Sequence, residues 1–290
     1  MKHRAFLFII LAGILWGSSG IFSPLLTPYG FSAIQMTFVR ALISCISMLL
    51  FLLIRDRKLL CARGKDLLLF LASGASFFGT ATCYYFSMQA TSTSTAVVLM
   101  YTAPVLVMLV SVAFLGEKLT LPKGIAVGCM LLGCCFVSGI IGGMKFDRFG
   151  ILIGLLSGVC YSLYNIVTKI SMRRGGNPTS ATFYCFLTAT VISFFACSPQ
   201  QIPANIAKAP LITLPLLIGL GICTCILPYL FYTIALKALP AGTASALSIV
   251  EPMAATVFSV LIFQEKLDLF AILGILLILG AVFLLSRSET

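Results

Sequence analysis

Ten long apolar runs dominate this 290-residue chain. A helix that crosses a bilayer needs about 20 predominantly apolar residues, and each run, bounded by charged, Pro-containing or Gly-containing clusters, approaches or exceeds that length. The connections between the runs are too short to fold as a soluble domain. The sequence therefore predicts an all-α integral membrane protein with ten transmembrane helices, at approximately 5–26, 33–54, 67–89, 93–115, 121–140, 149–172, 179–198, 211–237, 241–263 and 268–286.

Composition agrees with this class and excludes two others. Hydrophobic residues make up 60% of the chain and charged residues 9%, whereas soluble domains have roughly 45–50% apolar and about 25% charged residues. These values exclude a water-facing globular enzyme, and the long apolar runs exclude a disordered chain. The net charge of +11 does not indicate nucleic acid as a partner, because the basic residues lie in short connections between apolar runs. The expected partners are the lipid bilayer and a small-molecule substrate.

The distribution of Lys and Arg predicts the orientation. If the N-terminus is cytoplasmic, fourteen basic residues lie on the inner side and four on the outer side, while Arg40 lies within the second run. Both termini are therefore expected in the cytoplasm. The basic N-terminus has the charge order of a signal peptide, but no convincing small-residue cleavage site follows it, so we interpret 5–26 as a retained first helix.

The chain contains an internal repeat. When it is shifted by 148 residues, the segment 84–119 falls on 232–267 with 11 of 36 positions identical, including Pro104 with Pro252 and the Glu-Lys-Leu segments that begin at Glu117 and Glu265. A shift of 145 residues pairs Trp16 with Tyr161. We divide the chain into a first half, residues 1–140, and a second half, residues 141–290, with five helices each.

An odd number of helices makes the second half enter the membrane from the opposite side, so the sequence predicts inverted repeats. Such repeats are typical of secondary transporters, in which one half moves against the other around a central site. Duplicated helical units also occur in channels and passive scaffolds, so these alternatives stay open. Glycines at four-residue spacing are expected to be packing surfaces: Gly13 with Gly17, Gly124 with Gly128, and Gly150 with Gly154 and Gly158.

Several motifs together resemble the EamA family, a branch of the drug/metabolite transporter superfamily. They are Trp-Gly-Ser-Ser-Gly at 16–20, Phe-Val-Arg at 38–40, the Pro-centred helix ending in Gly-Glu-Lys-Leu at 104–119, and Glu251-Pro252 followed by Glu265. The resemblance covers essentially the whole chain. It implies a ten-helix carrier that usually moves amino acids, metabolites or drugs across a bacterial cytoplasmic membrane, often outward, and it does not name the substrate.

Two charged residues fall inside predicted spans. Glu251 is ten residues into the ninth span, roughly 15 Å from its start, and Arg40 is seven residues into the second, roughly 10 Å deep. A charge in hydrocarbon costs several kcal/mol and normally faces a cavity or a partner. Their repeat partners, Ala103 and Cys185, are neutral, so the symmetry of the fold does not require either charge.

Each charge has a functional and a structural interpretation. Glu251 can bind an amine or take up a proton when the cavity empties; alternatively, it caps backbone groups freed by Pro252 or forms a permanent ion pair with Arg40. Arg40 is a structural or gating charge, because a guanidinium can tie helix ends together through several hydrogen bonds.

Pro104 and Pro252 are expected to kink their helices at equivalent places and to face a common centre, since each lacks a backbone N–H. Of eight aromatic residues in the spans, we set aside Tyr85, Tyr164 and Tyr229 because Tyr near a span end is commonly an interface anchor. The remaining candidates for substrate binding, together with Glu251, are Trp16, Tyr84, Tyr101, Tyr161, Tyr232 and the polar Asn165.

No catalytic residue, metal site or cofactor is expected. The single His, His3, lies in the N-terminal tail, and most of the eleven Cys fall inside apolar runs. An ATP-driven pump is excluded by the missing phosphate-binding loop. The leading hypothesis is therefore a secondary transporter, with a channel or facilitative pore as the alternative and no enzyme activity. A bundle with its site between two halves of one chain does not require a second subunit, so a monomer suffices.

Overall fold

The computed structural model of the protein describes residues 2–61, 64–91, 93–137, 147–264 and 269–289. In these ranges the chain forms fifteen α-helices joined by short turns and contains no β-strand. The helices are α1 Lys2–Gly17, α2 Ser19–Leu26, α3 Ala33–Arg55, α4 Gly64–Ala90, α5 Thr93–Met100, α6 Ala103–Leu115, α7 Leu121–Val137, α8 Arg148–Arg173, α9 Pro178–Ala196, α10 Gln201–Ala207, α11 Pro210–Gly221, α12 Leu227–Ala235, α13 Ala241–Leu247, α14 Val250–Phe263 and α15 Leu269–Glu289.

Eight helical stretches within the described residues are long and apolar enough to cross a membrane. Two further apolar helical segments, Leu121–Val137 and Leu269–Leu285, are shorter. The predicted fifth span, 121–140, continues past Val137 into residues outside the described ranges. The second Glu-Lys-Leu segment, 265–267, also lies outside these ranges. The all-helical membrane fold is confirmed, whereas the count of ten spans stays a prediction. The eight stretches are His3–Tyr29, Ala33–Ile54, Asp66–Ala90, Thr95–Leu115, Arg148–Arg173, Pro178–Ala196, Pro210–Ala235 and Ala241–Ile262.

Two of these stretches are interrupted near Pro104 and Pro252, the positions of the predicted kinks. The first is broken at residues 101–102, between α5 and α6, and the second at residues 248–249, between α13 and α14. Pro104 and Pro252 therefore lie in the first turns of α6 and α14, and not in the middle of kinked helices as the sequence predicts. The carbonyl of Ser248, four residues before Pro252, instead accepts a hydrogen bond from the Glu251 N–H at 2.9 Å.

Local backbone conformations recur at the offsets of the sequence repeat. Gly30 and Gly175, 145 residues apart, have φ angles of 89° and 87°, and each precedes a helix capped by the side chain two residues later, Ser32 or Asn177. Gly116 and Gln264, 148 residues apart, have φ angles of 64° and 56°. Equivalent turns therefore end the fourth and ninth predicted spans, although the inverted relation of the two halves stays a prediction.

Close helix packing uses some of the predicted glycines and not others. A Cβ on Gly17 would lie 2.8 Å from the Glu251 carbonyl oxygen, and one on Gly154 would lie 2.5 Å from Leu99. At Gly124 and Gly128 a Cβ would meet no described atom within 4 Å. The packing role is thus confirmed for the α1 and α8 glycines and is wrong for the α7 pair, which faces away from the other described helices.

Candidate substrate cavity

A cavity of about 360 Å³ lies beside the two helix breaks. Its walls come from α5 and α14 and from residues of α1 to α4, α7, α8, α12 and the π-helical turn Ile222–Ile226. No residue of α6 or α13 lines it, so the cavity occupies one side of the breaks. The lining residues are Trp16, Ser19, Gly20, Arg40, Phe77, Thr80, Ala81, Tyr84, Val97, Met100, Tyr101, Val137, Tyr161, Thr224, Tyr229, Glu251, Pro252, Ala255 and Thr256.

Glu251 occupies the first turn of α14, directly after the break. Its Oε2 atom accepts a hydrogen bond from the Tyr101 hydroxyl at 2.7 Å, and that hydroxyl also lies 3.4 Å from the Ser248 carbonyl oxygen. No backbone N–H of the described residues donates to the carboxylate. Glu251 therefore does not cap the groups freed by Pro252, and its second oxygen is available to a molecule in the cavity.

Arg40 reaches the same cavity from α3. Its guanidinium carbon lies 5.5 Å from the centre of the Phe77 ring, an attractive arrangement of a cation over an aromatic face. The buried Nε atom has no hydrogen-bond partner among the described residues. In the part of the chain that the structure describes, Arg40 neither ties helix ends together nor pairs with Glu251.

Six aromatic side chains form a further part of the wall. Trp16 meets Tyr229 edge-on with ring centres 5.0 Å apart, and Phe77 meets Tyr229 edge-on at 5.2 Å. Tyr161 lines the cavity and donates from its hydroxyl to the Ser248 Oγ atom at 3.0 Å. Tyr84 also lines it. The site thus offers one carboxylate, one guanidinium and several aromatic faces to a bound molecule.

Three of the residues singled out from the sequence do not line the cavity. Asn165 and Tyr232 are fully buried behind it, where the Tyr232 hydroxyl donates to Asn165 Oδ1 and the Asn165 Nδ2 atom donates to the Tyr161 carbonyl at 2.6 Å. They support the helix that carries Tyr161. Pro104 is buried in α6, on the other side of the break.

Sequence reasoning missed Phe77, Thr224 and Tyr229. The sequence predicts Tyr229 to be an interface anchor, but it lies near the start of α12, next to the π-helical turn Ile222–Ile226. The preceding Pro228 was the available signal for a local irregularity. Phe77 has no distinguishing sequence context. Within the described residues, no three His, Cys, Asp or Glu side chains cluster as metal ligands.

The model of the EamA-like transporter family matches the chain twice, over residues 3–139 and 148–287. The chain belongs to this family. As a member, it is an integral membrane transporter of the drug/metabolite type, and family membership assigns it transport and not catalysis.

Other known proteins agree with this assignment. The transporter is 26% identical over 279 residues to an uncharacterized transporter of Archaeoglobus fulgidus, with 96% of this chain and 95% of the relative covered. It is 22% identical to the uncharacterized transporter YoaV of Bacillus subtilis, with 97% and 96% covered. A crystal structure covering 99% of both chains has a TM-score of 0.83 at 18% sequence identity, and at that identity the likeness concerns the fold alone.

Proposed function

We propose that this transporter is a secondary carrier that exports a small organic solute by alternating access around the cavity between its two halves. Amino acids, amines, metabolites and drugs are the candidate classes. The cavity favours a molecule that carries both an amine and a carboxylate beside an apolar or aromatic body. Its volume of about 360 Å³ falls within the range of small-molecule sites, about 300–1,000 Å³.

One observation carries the proposal: Glu251 and Arg40 line the same cavity without pairing with each other. Buried charges are normally paired, because each loses its hydration. A substrate with an amine near Glu251 and a carboxylate near Arg40 would satisfy both. The rings of Trp16, Phe77 and Tyr229 would hold its apolar body and add cation–π attraction to the amine.

The broken helices support a binding site that changes conformation during transport. Discontinuous helices are typical of transporter sites, because backbone leaves the helical pattern only where protein or a cavity satisfies it. The repeated turns at Gly116 and Gln264 and the two matches to the family model support the duplication on which alternating access depends. We also propose that the transporter lies in a bacterial cytoplasmic membrane, with both termini in the cytoplasm.

A binding experiment tests the substrate class. Purified transporter is heated with an aromatic or aliphatic amino acid, with the amine lacking its carboxyl group, and with the acid lacking its amine. A ligand that binds the folded state raises the melting temperature, and we expect the amino acid to raise it most. Equal protection by the amine alone would remove Arg40 from recognition.

A flux experiment tests the carrier mechanism. Proteoliposomes loaded with excess unlabelled amino acid are diluted into labelled amino acid, and we expect transient accumulation of label above equilibrium. A channel or facilitative pore would equilibrate the label without accumulation. That result would favour the alternative function.

A further inference from the structure

The two sides of the helix breaks differ in how tightly the broken spans approach each other. Between α5 and α14 lies the cavity, lined by Val97 and Met100 on one side and by Ala255 and Thr256 on the other. On the far side of the breaks α6 packs directly against α13: a Cβ on Gly242 would lie 3.2 Å from the Met108 Cα atom. The structure is therefore closed on the α6 and α13 side.

Glu117 joins the two halves at this closed side. Gly116, with a φ angle of 64°, ends α6 and turns the chain so that the Glu117 carboxylate reaches the start of α13. Its Oε1 atom accepts from the Ala241 N–H at 2.8 Å, and its Oε2 atom lies 3.4 Å from the Gly242 nitrogen. A carboxylate that accepts from backbone N–H groups forms charge-assisted bonds, which are stronger than neutral ones.

Two basic residues reinforce the same place. Arg173 of α8 donates from Nη1 to the Leu115 carbonyl at 2.6 Å, and its Nη2 atom lies 3.9 Å from the Glu117 Oε1 atom. Lys169 donates to the carbonyls of Leu236, at 2.7 Å, and Leu239, which precede α13. The Glu117 and Arg173 contacts cross between the halves, whereas the Lys169 contacts stay within the second half.

We propose that Glu117 is a gating residue that holds the closed side shut while the substrate cavity is accessible from the opposite side. The inference rests on the proposed alternating-access function. Opening the closed side separates α6 from α13, so the carboxylate must leave the Ala241 and Gly242 N–H groups. The Glu117 side chain is only 9% exposed, but Arg173 beside it is 45% exposed, so water enters from the Arg173 side as the groups separate and replaces the lost hydrogen bonds. The contact is thus reversible.

Hydrogen exchange of the full-length transporter tests the gate without needing a substrate. In Glu117→Ala we expect backbone amides of 236–249 to exchange about tenfold faster, the change that corresponds to losing a hydrogen bond to a charged group. Amides of α5 and of α14 beside the cavity are expected to exchange more slowly, because the population shifts toward a state closed on that side. Glu117→Gln keeps the volume and one acceptor oxygen, and should fall between wild type and Glu117→Ala.

A substitution outside the gate contacts serves as the control for this experiment. Asp66→Asn changes an acidic residue in the first turn of α4 that makes no hydrogen bond or ion pair with another described residue, and it should leave exchange unchanged. Faster exchange at 236–249 without slower exchange in α5 and α14 would mean that Glu117 only caps the start of α13, and this result would overturn the gate. Unchanged exchange at 236–249 would overturn it as well. Opposite shifts in exchange together with absent counterflow in wild type would keep the gate and refute the proposed carrier.

Discussion

At the scale of single residues, the cavity separates side chains that face a substrate from side chains that hold others in place. Glu251 and Arg40 face the cavity, and the hydroxyl of Tyr101 orients the carboxylate at 2.7 Å. Asn165 and Tyr232 lie behind the wall and bond to each other. Substitutions in the first group should change binding, and substitutions in the second should change stability.

Glu251→Gln removes the charge while keeping most of the volume and an oxygen that can accept from Tyr101. We expect at least about a tenfold loss of substrate uptake, because each 1.4 kcal/mol of lost interaction is a factor of ten. Melting temperature should fall by no more than about 3 °C, which corresponds to roughly 1 kcal/mol, since no ion pair with Arg40 is broken. Uptake into proteoliposomes and thermal unfolding measure the two effects. Full activity in the variant would remove the Glu251 charge from the mechanism.

Tyr232→Phe leaves Asn165 Oδ1 without its buried donor. The cost of such an unsatisfied group is about 1–3 kcal/mol, so the melting temperature should fall by several degrees while substrate affinity of the folded protein stays the same. Tyr84→Phe is the matched control for stability: Tyr84 lines the cavity, but its hydroxyl has no hydrogen bond to another described residue, so the melting temperature should stay the same. A loss of affinity in Tyr232→Phe at unchanged stability would place Tyr232 in the binding site.

At the scale of helices, the position of α1 against α14 decides where Glu251 points. Gly17 lets the two backbones approach, with Glu251 O, Ala254 Cβ and Ala255 N all 2.8 Å from where a Cβ would stand. Real Cβ atoms essentially never approach other atoms this closely. The three neighbouring atoms belong to the backbone or to a short side chain, so they have little freedom to move away. Any side chain at position 17 must push α1 away from α14.

Gly17→Ala is therefore expected to destabilise the transporter by about 1–3 kcal/mol, the usual cost of overpacking, and to reduce uptake by displacing Glu251. Gly128→Ala is the control, because nothing described lies within 4 Å of its Cβ position and Ala favours helix over Gly by about 0.5–1 kcal/mol. Thermal unfolding of both variants measures the difference. Equal melting temperatures for the two would show that the α1 and α14 contact adjusts freely.

At the scale of the whole molecule, the alternation of the spans places Glu117, Arg173 and Ala241 together on one side, where they meet. Gly30 and Asn205 meet on the opposite side, through a hydrogen bond of 2.9 Å from the Asn205 amide to the Gly30 carbonyl. The excess of Lys and Arg in the loops of the Glu117 side predicts that this side is cytoplasmic. With its cytoplasmic side closed, the structure would then be an outward-facing state.

A native thiol reports this orientation. Cys61 is exposed in the connection between α3 and α4, on the predicted cytoplasmic side. We expect a membrane-impermeant maleimide to modify Cys61 in inverted membrane vesicles and not in intact cells, with mass spectrometry locating the adduct. A permeant maleimide, which should label Cys61 in both preparations, is the control. Labelling of Cys61 by the impermeant reagent in intact cells alone would reverse the proposed orientation.

The membrane class, the approximate bounds of the helical spans and the region of the helix breaks can be predicted from the amino-acid sequence alone. These features depend on local properties: the length of an apolar run, the missing N–H of Pro104 and Pro252, and the recurrence of residues at offsets of 145 and 148. The sequence also singled out Glu251 and Arg40, because a charge inside an apolar run is visible without any knowledge of contacts.

Which of these residues meet depends on how the helices pack in three dimensions. The tertiary structure brings Glu251 and Arg40, separated by more than 200 residues in the chain, to one cavity without pairing them, adds Phe77 and Tyr229 to the wall, and leaves Asn165, Tyr232 and Pro104 out of the lining. It also joins Glu117 to the start of α13. The direction of a side chain depends on how its helix is rotated and packed against helices distant in sequence, and the local pattern of apolar residues does not encode that rotation.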